Sequence, residues 1–257
     1  MRLDQWLVEN NWVDSKTKAQ AVIKAGKVKV KSSAWGHNDF KVVMKPSFDV
    51  DPSENLEVQV LPSEETRFVS RAGVKLESAL KYLQLDVSGQ TFLDVGQSTG
   101  GFTEALMVAG AGKVIGIDVG HDQLHDKIKK MDCVESYEGI NAKNLEELLQ
   151  CEAIDAEKFQ GVVMDVSFIS QTLIVSNLYK LIAPGGFLLA LVKPQFELEK
   201  NALDKNGVVK DDNAYEKVQN KIVDTYRASG FEVRDYFVSS ILGGEGNKEF
   251  FVFAIKN

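Results

Sequence analysis

Four charged residues stand where a chain selected only for stability seldom places them. Asp165 closes the apolar run Val162-Val-Met-Asp165 and is followed by Val-Ser-Phe-Ile-Ser170. Lys193 closes Leu188-Leu-Ala-Leu-Val-Lys193, and Pro194 then turns the chain out of any sheet. Both runs read as parallel strands, so both side chains project from carboxyl ends toward the crevice where open α/β sheets bind ligands. Lys75 lies in Ser70-Arg-Ala-Gly-Val-Lys75, at the entry of a helix, and Glu249 opens the last strand after Gly243-Gly-Glu-Gly-Asn247. Two lysines and two carboxylates can form a closed charge network that holds one lysine as the free amine, able to serve as a base. Taken singly, each could equally be half of a surface ion pair.

A second cluster lies in Phe92-Leu-Asp-Val-Gly-Gln-Ser-Thr-Gly-Gly-Phe-Thr-Glu-Ala-Leu106, where a short apolar run enters a glycine-rich turn and then a helical pattern. The dinucleotide fingerprint G-x-G-x-x-G, begun at Gly96, puts Ser98 where the pyrophosphate needs glycine, although Gly101 fits. The pattern D-x-G-x-G-x-G fits better, as Asp94, Gly96, Ser98 and Gly100, with one substitution by a small residue. Such a turn lets the backbone curl beneath S-adenosylmethionine while the strand-end carboxylate meets the methionine ammonium, directly or through water. Asp118, 24 residues after Asp94, ends the next strand and can accept from both ribose hydroxyls, as it also would in an NAD site. The cofactor contacts expected are Asp94, Gly96, Ser98, Thr99, Gly100, Gly101, Phe102, Asp118, Asn141 and Asp165.

The elements that must position these groups alternate. Helix 75–83 precedes strand 92–95, and strands 114–118, 133–137, 161–165 and 187–193 follow with helices between them. Helix 214–229, strand 232–238 and strand 249–255 complete the pattern. This predicts a doubly wound, mostly parallel seven-stranded α/β sheet. The last two strands have no helix between them, so the final strand is expected to run antiparallel, an ending typical of class I methyltransferases.

The first segment is different. Leu3, Trp6 and Leu7 predict an amphipathic helix, Ser15 caps a second helix running to Ala25, and Gly26 terminates it. Lys27-Val-Lys-Val-Lys31 alternates with period two, lysines on one face and valines on the other. Strands are also predicted near Val42 and over 56–61, with Pro46, Pro52 and Pro62 marking loops. The net charge of −7 conceals nine basic against four acidic residues in 1–48, and 21 basic against 33 acidic in the remainder. A basic unit of 1–62, a linker of 63–70 and a larger domain of 71–257 are therefore expected, the first facing a polyanion. The lysines could otherwise be a solvated face. Cys133 and Cys151 are the only cysteines and read as reduced, with no metal-type spacing. Met1-Arg2-Leu3-Asp4 starts no signal peptide and no apolar run is long enough for a membrane span, so a cytoplasmic location without membrane or metal is expected.

Two resemblances sharpen this reading. Arg2-Leu3-Asp4, Ser15-Lys16-Thr17-Lys18-Ala19 and Gly26-Lys27-Val28-Lys29-Val30 resemble the RNA-binding module first seen in ribosomal protein S-four, departing from it at Lys31-Ser32, where Asn-Gly is usual. The resemblance implies RNA contacts at Arg2, Lys16, Lys18, Lys27 and Lys29. Across the whole chain, Ser70-Arg71 with Lys75-Leu76, Leu93 to Thr103, Asp118-Val-Gly120 with Gln123-Leu124, Asp165 to Ser170, Lys193 to Glu197 and Gly246 to Phe251 resemble the TlyA (haemolysin A) family. That family couples the RNA-binding module to an FtsJ-like methyltransferase domain. The resemblance implies cytidine 2′-O-methylation of ribosomal RNA, as free RNA or in an assembled subunit, with S-adenosylmethionine as cofactor and Lys75, Asp165, Lys193 and Glu249 as catalytic tetrad. Lys193 is then the base, partnered by Asp165, while Lys75 and Glu249 orient the hydroxyl. Longer members of the family carry an extra basic arm and a terminal helix. By that comparison, large-subunit (23S) RNA alone is the expected substrate. The alternatives are a membrane-active haemolysin and an RNA-binding protein with an inactive methyltransferase domain. The oligomeric state is not legible.

Overall fold

The computed structural model describes residues 1–13, 15–35, 39–54, 56–61, 67–151, 154, 158–243 and 246–257. The chain divides into two compact units, Met1–Arg71 and Ala72–Asn257. Residues 62–66, on which the end of the first expected domain and half of the expected linker fall, lie outside the described residues.

In the first unit, α1 (Leu3–Glu9) and α2 (Lys16–Lys24) bury Leu3, Leu7, Ala19, Val22 and Ile23 in one core with a three-stranded sheet. Its strands are β1 (Val28–Ser32), β2 (Lys41–Val43) and β3 (Leu56–Val60), antiparallel in the order β2-β1-β3. Ser15 Oγ accepts from the Lys18 N–H at 3.3 Å, capping α2. Gly26 ends the helix at φ +68°, a conformation that costs glycine little. The alternation over β1 is realised: Val28 and Val30 are buried, while Lys29 and Lys31 are partly exposed. After Ser32 the chain enters a 3₁₀ turn, Ser33–Trp35.

The second unit is a seven-stranded sheet in the order β6-β5-β4-β7-β8-β10-β9. Strands β4 (Thr91–Val95), β5 (Lys113–Asp118), β6 (Val134–Glu138), β7 (Phe159–Met164) and β8 (Ile182–Val192) pair in parallel. β10 (Phe250–Lys256) inserts antiparallel between β8 and β9 (Phe231–Val238), as the missing helix predicted. Connections are made by α3 (Arg71–Leu83), α4 (Gly101–Val108), α5 (Asp126–Lys129), α6 (Leu145–Gln150), α7 (Val175–Leu181), α8 (Pro194–Glu197) and α9 (Asn213–Ala228). The central strands carry branched apolar side chains that are almost wholly buried, among them Leu93, Ile115, Val162 and Leu188, as a sheet covered on both faces requires. From β4 the chain winds outward through β5 and β6, then returns to the other side of β4 for β7 and β8. The reversal leaves a crevice at the carboxyl ends of β4 and β7.

Several strands stop one residue earlier or start one later than the apolar runs suggest. Asp165, Lys193, Glu249 and Cys133 therefore flank strands rather than lie in them. The cause is local. Asp165 still donates its N–H to Val95 O at 2.9 Å, but Lys193, at φ −110° and ψ 98°, is the N-cap of α8 with Pro194 as its first residue. Cys133 is exposed, Cys151 buried, and both are free thiols.

Candidate active site

The turn after β4 is built by three residues with positive φ: Gly96 at +81°, Ser98 at +47° and Gly100 at +90°. A Cβ on Gly96 would lie 2.6 Å from the main-chain oxygen of Asp165, so this glycine lets the turn approach the neighbouring strand end. A Cβ on Gly100 would lie 2.8 Å from Ile128, so this one admits the packing of α5. Ser98 is held in its left-handed conformation by side-chain contacts. Its N–H donates to Asp118 Oδ2 at 2.8 Å and its hydroxyl to Gln123 Oε1 at 3.0 Å. Asp118 Oδ1 accepts from the Gly120 N–H at 2.7 Å, fixing the carboxylate before any ligand arrives.

These residues border a cavity of about 400 Å³, within the range of small-molecule sites. Gly96, Ser98, Asp118, Asn141 and Asp165 line it. Thr99, Gly100, Gly101 and Phe102 do not. Phe102 is buried and its ring stacks on Phe251 at 6.3 Å, which makes it a core residue of this domain. Asp94 sits beneath the turn, fully buried. Its Oδ2 accepts from the Thr103 hydroxyl at 2.7 Å, and its Oδ1 has no hydrogen-bond partner. Burial above all, with the nearby charges of Asp165 and Asp118, raises its pKa to about 7 against the pull of Thr103. Asp118 and Asp165 line the cavity and Asp94 lies beneath it, a negative field that suits a ligand carrying a sulfonium and an ammonium. Ile117, Val119, Ile140 and Ala142 offer an apolar flank for a flat base, and Asp118 faces the same space. The residues present therefore fit S-adenosylmethionine.

The four charged residues come together as two pairs. Lys75 Nζ lies 2.6 Å from Glu249 Oε2, and both side chains are nearly inaccessible. Lys193 Nζ lies 2.6 Å from Asp165 Oδ1 and donates to Ser167 Oγ at 2.8 Å. The contact with Asp165 is one of charge without hydrogen-bond geometry, so Oδ1 keeps an unused acceptor position. Phe250 pairs with Val192, which sets Glu249 and Lys193 on adjacent strand ends. Among the described residues no ion pair within 4.0 Å joins the two couples. The closed network expected from the sequence is thus two separate pairs, because the lysines approach from different elements, α3 and the end of β8. The loop onto Glu249 is tight, since a Cβ on Gly243 would fall 2.0 Å from Glu249 Oε1. Gly244 and Glu245 of that loop lie outside the described residues.

Two features escape a sequence reading. Phe168 is 91% exposed at φ +64°, beside Asp165 and on the cavity rim, with its ring 5.0 Å from Phe196. Its signal was the phenylalanine in Asp-Val-Ser-Phe-Ile-Ser, but exposure and backbone strain are not written in residue type. Glu197 braces the same loop from below, accepting from the Gln171 N–H at 2.9 Å and from Lys221 Nζ at 3.0 Å. In the first unit, Lys16 is exposed, and Lys18, Lys27 and Lys29 are partly exposed. Arg2 is otherwise engaged: its Nε and Nη2 donate to Asp4 at 2.9 and 2.7 Å, and this fork holds the Asp4 carboxyl down at about 2. Among the described residues no group of His, Cys, Asp and Glu is arranged to hold a metal ion, and no helix is long and apolar enough to cross a membrane.

The sheet order, the antiparallel seventh strand and the acid-lined turn define an S-adenosylmethionine-dependent methyltransferase. Residues 68–256 match the model of the FtsJ-like methyltransferases. Hemolysin A of Brachyspira hyodysenteriae is 37% identical over 250 residues, covering 97% of this chain and 98% of that protein. The 23S rRNA (cytidine-2′-O)-methyltransferase TlyA of Campylobacter jejuni is 35% identical over 193 residues, 74% of this chain and 72% of that one. The 16S/23S rRNA (cytidine-2′-O)-methyltransferase TlyA of Mycobacterium tuberculosis is 32% identical over 251 residues, 98% of this chain and 88% of that one. The chain belongs to the FtsJ-like methyltransferases and, within them, to the TlyA (haemolysin A) family.

Proposed function

We propose that this protein methylates the 2′-hydroxyl of a cytidine in ribosomal RNA, in the cytoplasm, with large-subunit RNA as substrate. The observation that carries the reading is the Lys193–Asp165 pair, set at two strand ends with Asp165 and Ser167, both partners of Lys193, lining the cofactor cavity. Both named TlyA relatives act on 23S rRNA, which favours the large subunit; the mycobacterial one acts on 16S rRNA as well.

When bound, S-adenosylmethionine supplies an activated sulfonium methyl. The protein must then hold a weakly acidic ribose hydroxyl in line and remove its proton. Lys193 takes that proton, and Asp165 stabilises the ammonium produced. Lys75 and Glu249, paired and desolvated, orient the hydroxyl from the other side. Positioning of this kind lowers a barrier by up to ~7–11 kcal/mol, and general-base assistance adds roughly 10²–10⁴-fold. Phe168 presents an aromatic face at the rim, a platform for a base drawn out of its stack. The basic first unit, through Lys16, Lys18, Lys27 and Lys29, holds the RNA backbone. The test is transfer of tritium from labelled cofactor into purified, unmodified ribosomal subunits. Labelling of large subunits is expected, and no labelling of either subunit would remove ribosomal RNA as substrate.

A further inference from the structure

Around Asp94 the structure spends two buried polar side chains and one glycine on a single carboxylate oxygen. Gln97 and Thr103 are 6% and 0% exposed. Gln97 Nε2 donates to Thr103 Oγ1 at 2.9 Å, and Thr103 Oγ1 donates to Asp94 Oδ2 at 2.7 Å. A hydroxyl has one hydrogen, so accepting from the amide commits that hydrogen to the carboxylate. Asp94 Oδ1 is left bare and buried. Gly116 makes room for this arrangement. It lies directly opposite Asp94 in the β4–β5 ladder, between Ile115 and Ile117, and its φ is not positive, so backbone conformation does not call for glycine there. A Cβ on Gly116 would fall 2.0 Å from the amide carbon and nitrogen of Gln97. Any side chain at this point of β5 would evict the amide that starts the chain of bonds.

We infer that Gln97 and Thr103, admitted by Gly116, are positioning residues for the cofactor's amino group: they pin Asp94 Oδ2 and aim bare Oδ1 at the methionine ammonium. This rests on Asp94 meeting that ammonium, and it adds which residues make the contact directional. A buried carboxylate rotates readily between two equivalent oxygens, and a one-way chain of donors removes that freedom. The electrostatics agree, because the Thr103 hydroxyl and main-chain N–H both favour the ionised carboxylate against burial.

The experiment compares two ligands by calorimetry on the full chain: S-adenosylmethionine, and 5′-methylthioadenosine, which lacks the amino acid end. Thr103→Val keeps the shape and removes the hydroxyl. It is expected to weaken S-adenosylmethionine about 10–100-fold, the range for a hydrogen bond to a charged group, and to leave 5′-methylthioadenosine unchanged. Thr103→Ser should restore the affinity. Gln97→Ala should show a smaller loss with the same ligand selectivity, and it keeps the test open if the valine variant does not fold. Equal weakening of both ligands, or no weakening of either, would overturn the inference. A wild-type chain that bound both ligands with equal affinity would overturn the Asp94–ammonium contact itself, a failure visible before any variant is made.

Discussion

At the scale of single residues, Lys193 and Asp94 make opposite demands on the same crevice. Lys193 touches a carboxylate and a hydroxyl but no part of the turn that cradles the cofactor. Lys193→Ala should therefore bind S-adenosylmethionine normally while methyl transfer falls by roughly 10²–10⁴-fold. Titration calorimetry beside a transfer assay reads both, and near-normal turnover would remove it as the base. Asp94 couples the site to pH. Its pKa, about 7 when folded, lies above the unfolded value of 3.8, so the folded state holds a proton that the unfolded chain loses. Stability without ligand is thus greatest below pH 4 for this group and falls as pH rises through 7, by on the order of 4 kcal/mol. Asp94→Asn should abolish that slope, raising the denaturation midpoint at pH 8 relative to wild type while weakening the cofactor. An unaltered slope would place the titration elsewhere. Asp165 and Lys193 were legible in the sequence because a charge ending an apolar run betrays a strand end. Phe168 was not, since nothing in its type distinguishes an exposed aromatic from a core one.

At the scale of elements, the strand–turn–helix after β4 is the part most constrained by backbone geometry. Gly96→Val would force a branched side chain into φ +81° and against Asp165 O. Strain of this kind costs ~1–3 kcal/mol, so both the urea midpoint and cofactor affinity should drop. A variant with wild-type stability and binding would mean the turn has other room. The alternation of strand and helix patterns predicted all seven strands and the reversed last one, the central strands β4, β5, β7 and β8 being the plainest because they are continuous apolar runs. The short α8 was not apparent. Four residues carry no periodicity, and Pro194 reads only as a strand breaker until Lys193 is seen to cap a helix turn. The pairing of the tetrad was equally hidden. Which lysine meets which carboxylate depends on sheet order, and the register of β10 on β8 is written in no local segment.

At the scale of the whole molecule, a chain of net charge −7 keeps its positive excess in the first 48 residues, while the rest is rich in acid. If that segment grips phosphates, reversing Lys16, Lys18 and Lys27 to Glu should weaken RNA binding. It should also flatten the dependence of log affinity on log salt, by roughly 0.7–0.9 for each phosphate no longer neutralised. An unchanged slope would take these lysines out of the interface. Arg2 is a poor member of that set, since Asp4 already occupies the Nε and Nη2 edge of its guanidinium. Sequence named the residue but not its partner. On the proposed mechanism the crevice between β4 and β7 delivers a methyl group to a ribose hydroxyl, with Lys193 taking the proton. The most direct measurement is mass spectrometry of nucleosides from purified, unmodified large subunits after incubation with the protein and S-adenosylmethionine. New 2′-O-methylcytidine is expected with the wild-type chain and none with Lys193→Ala. Methyl appearing on a base rather than a ribose, or equal product from the variant, would contradict it.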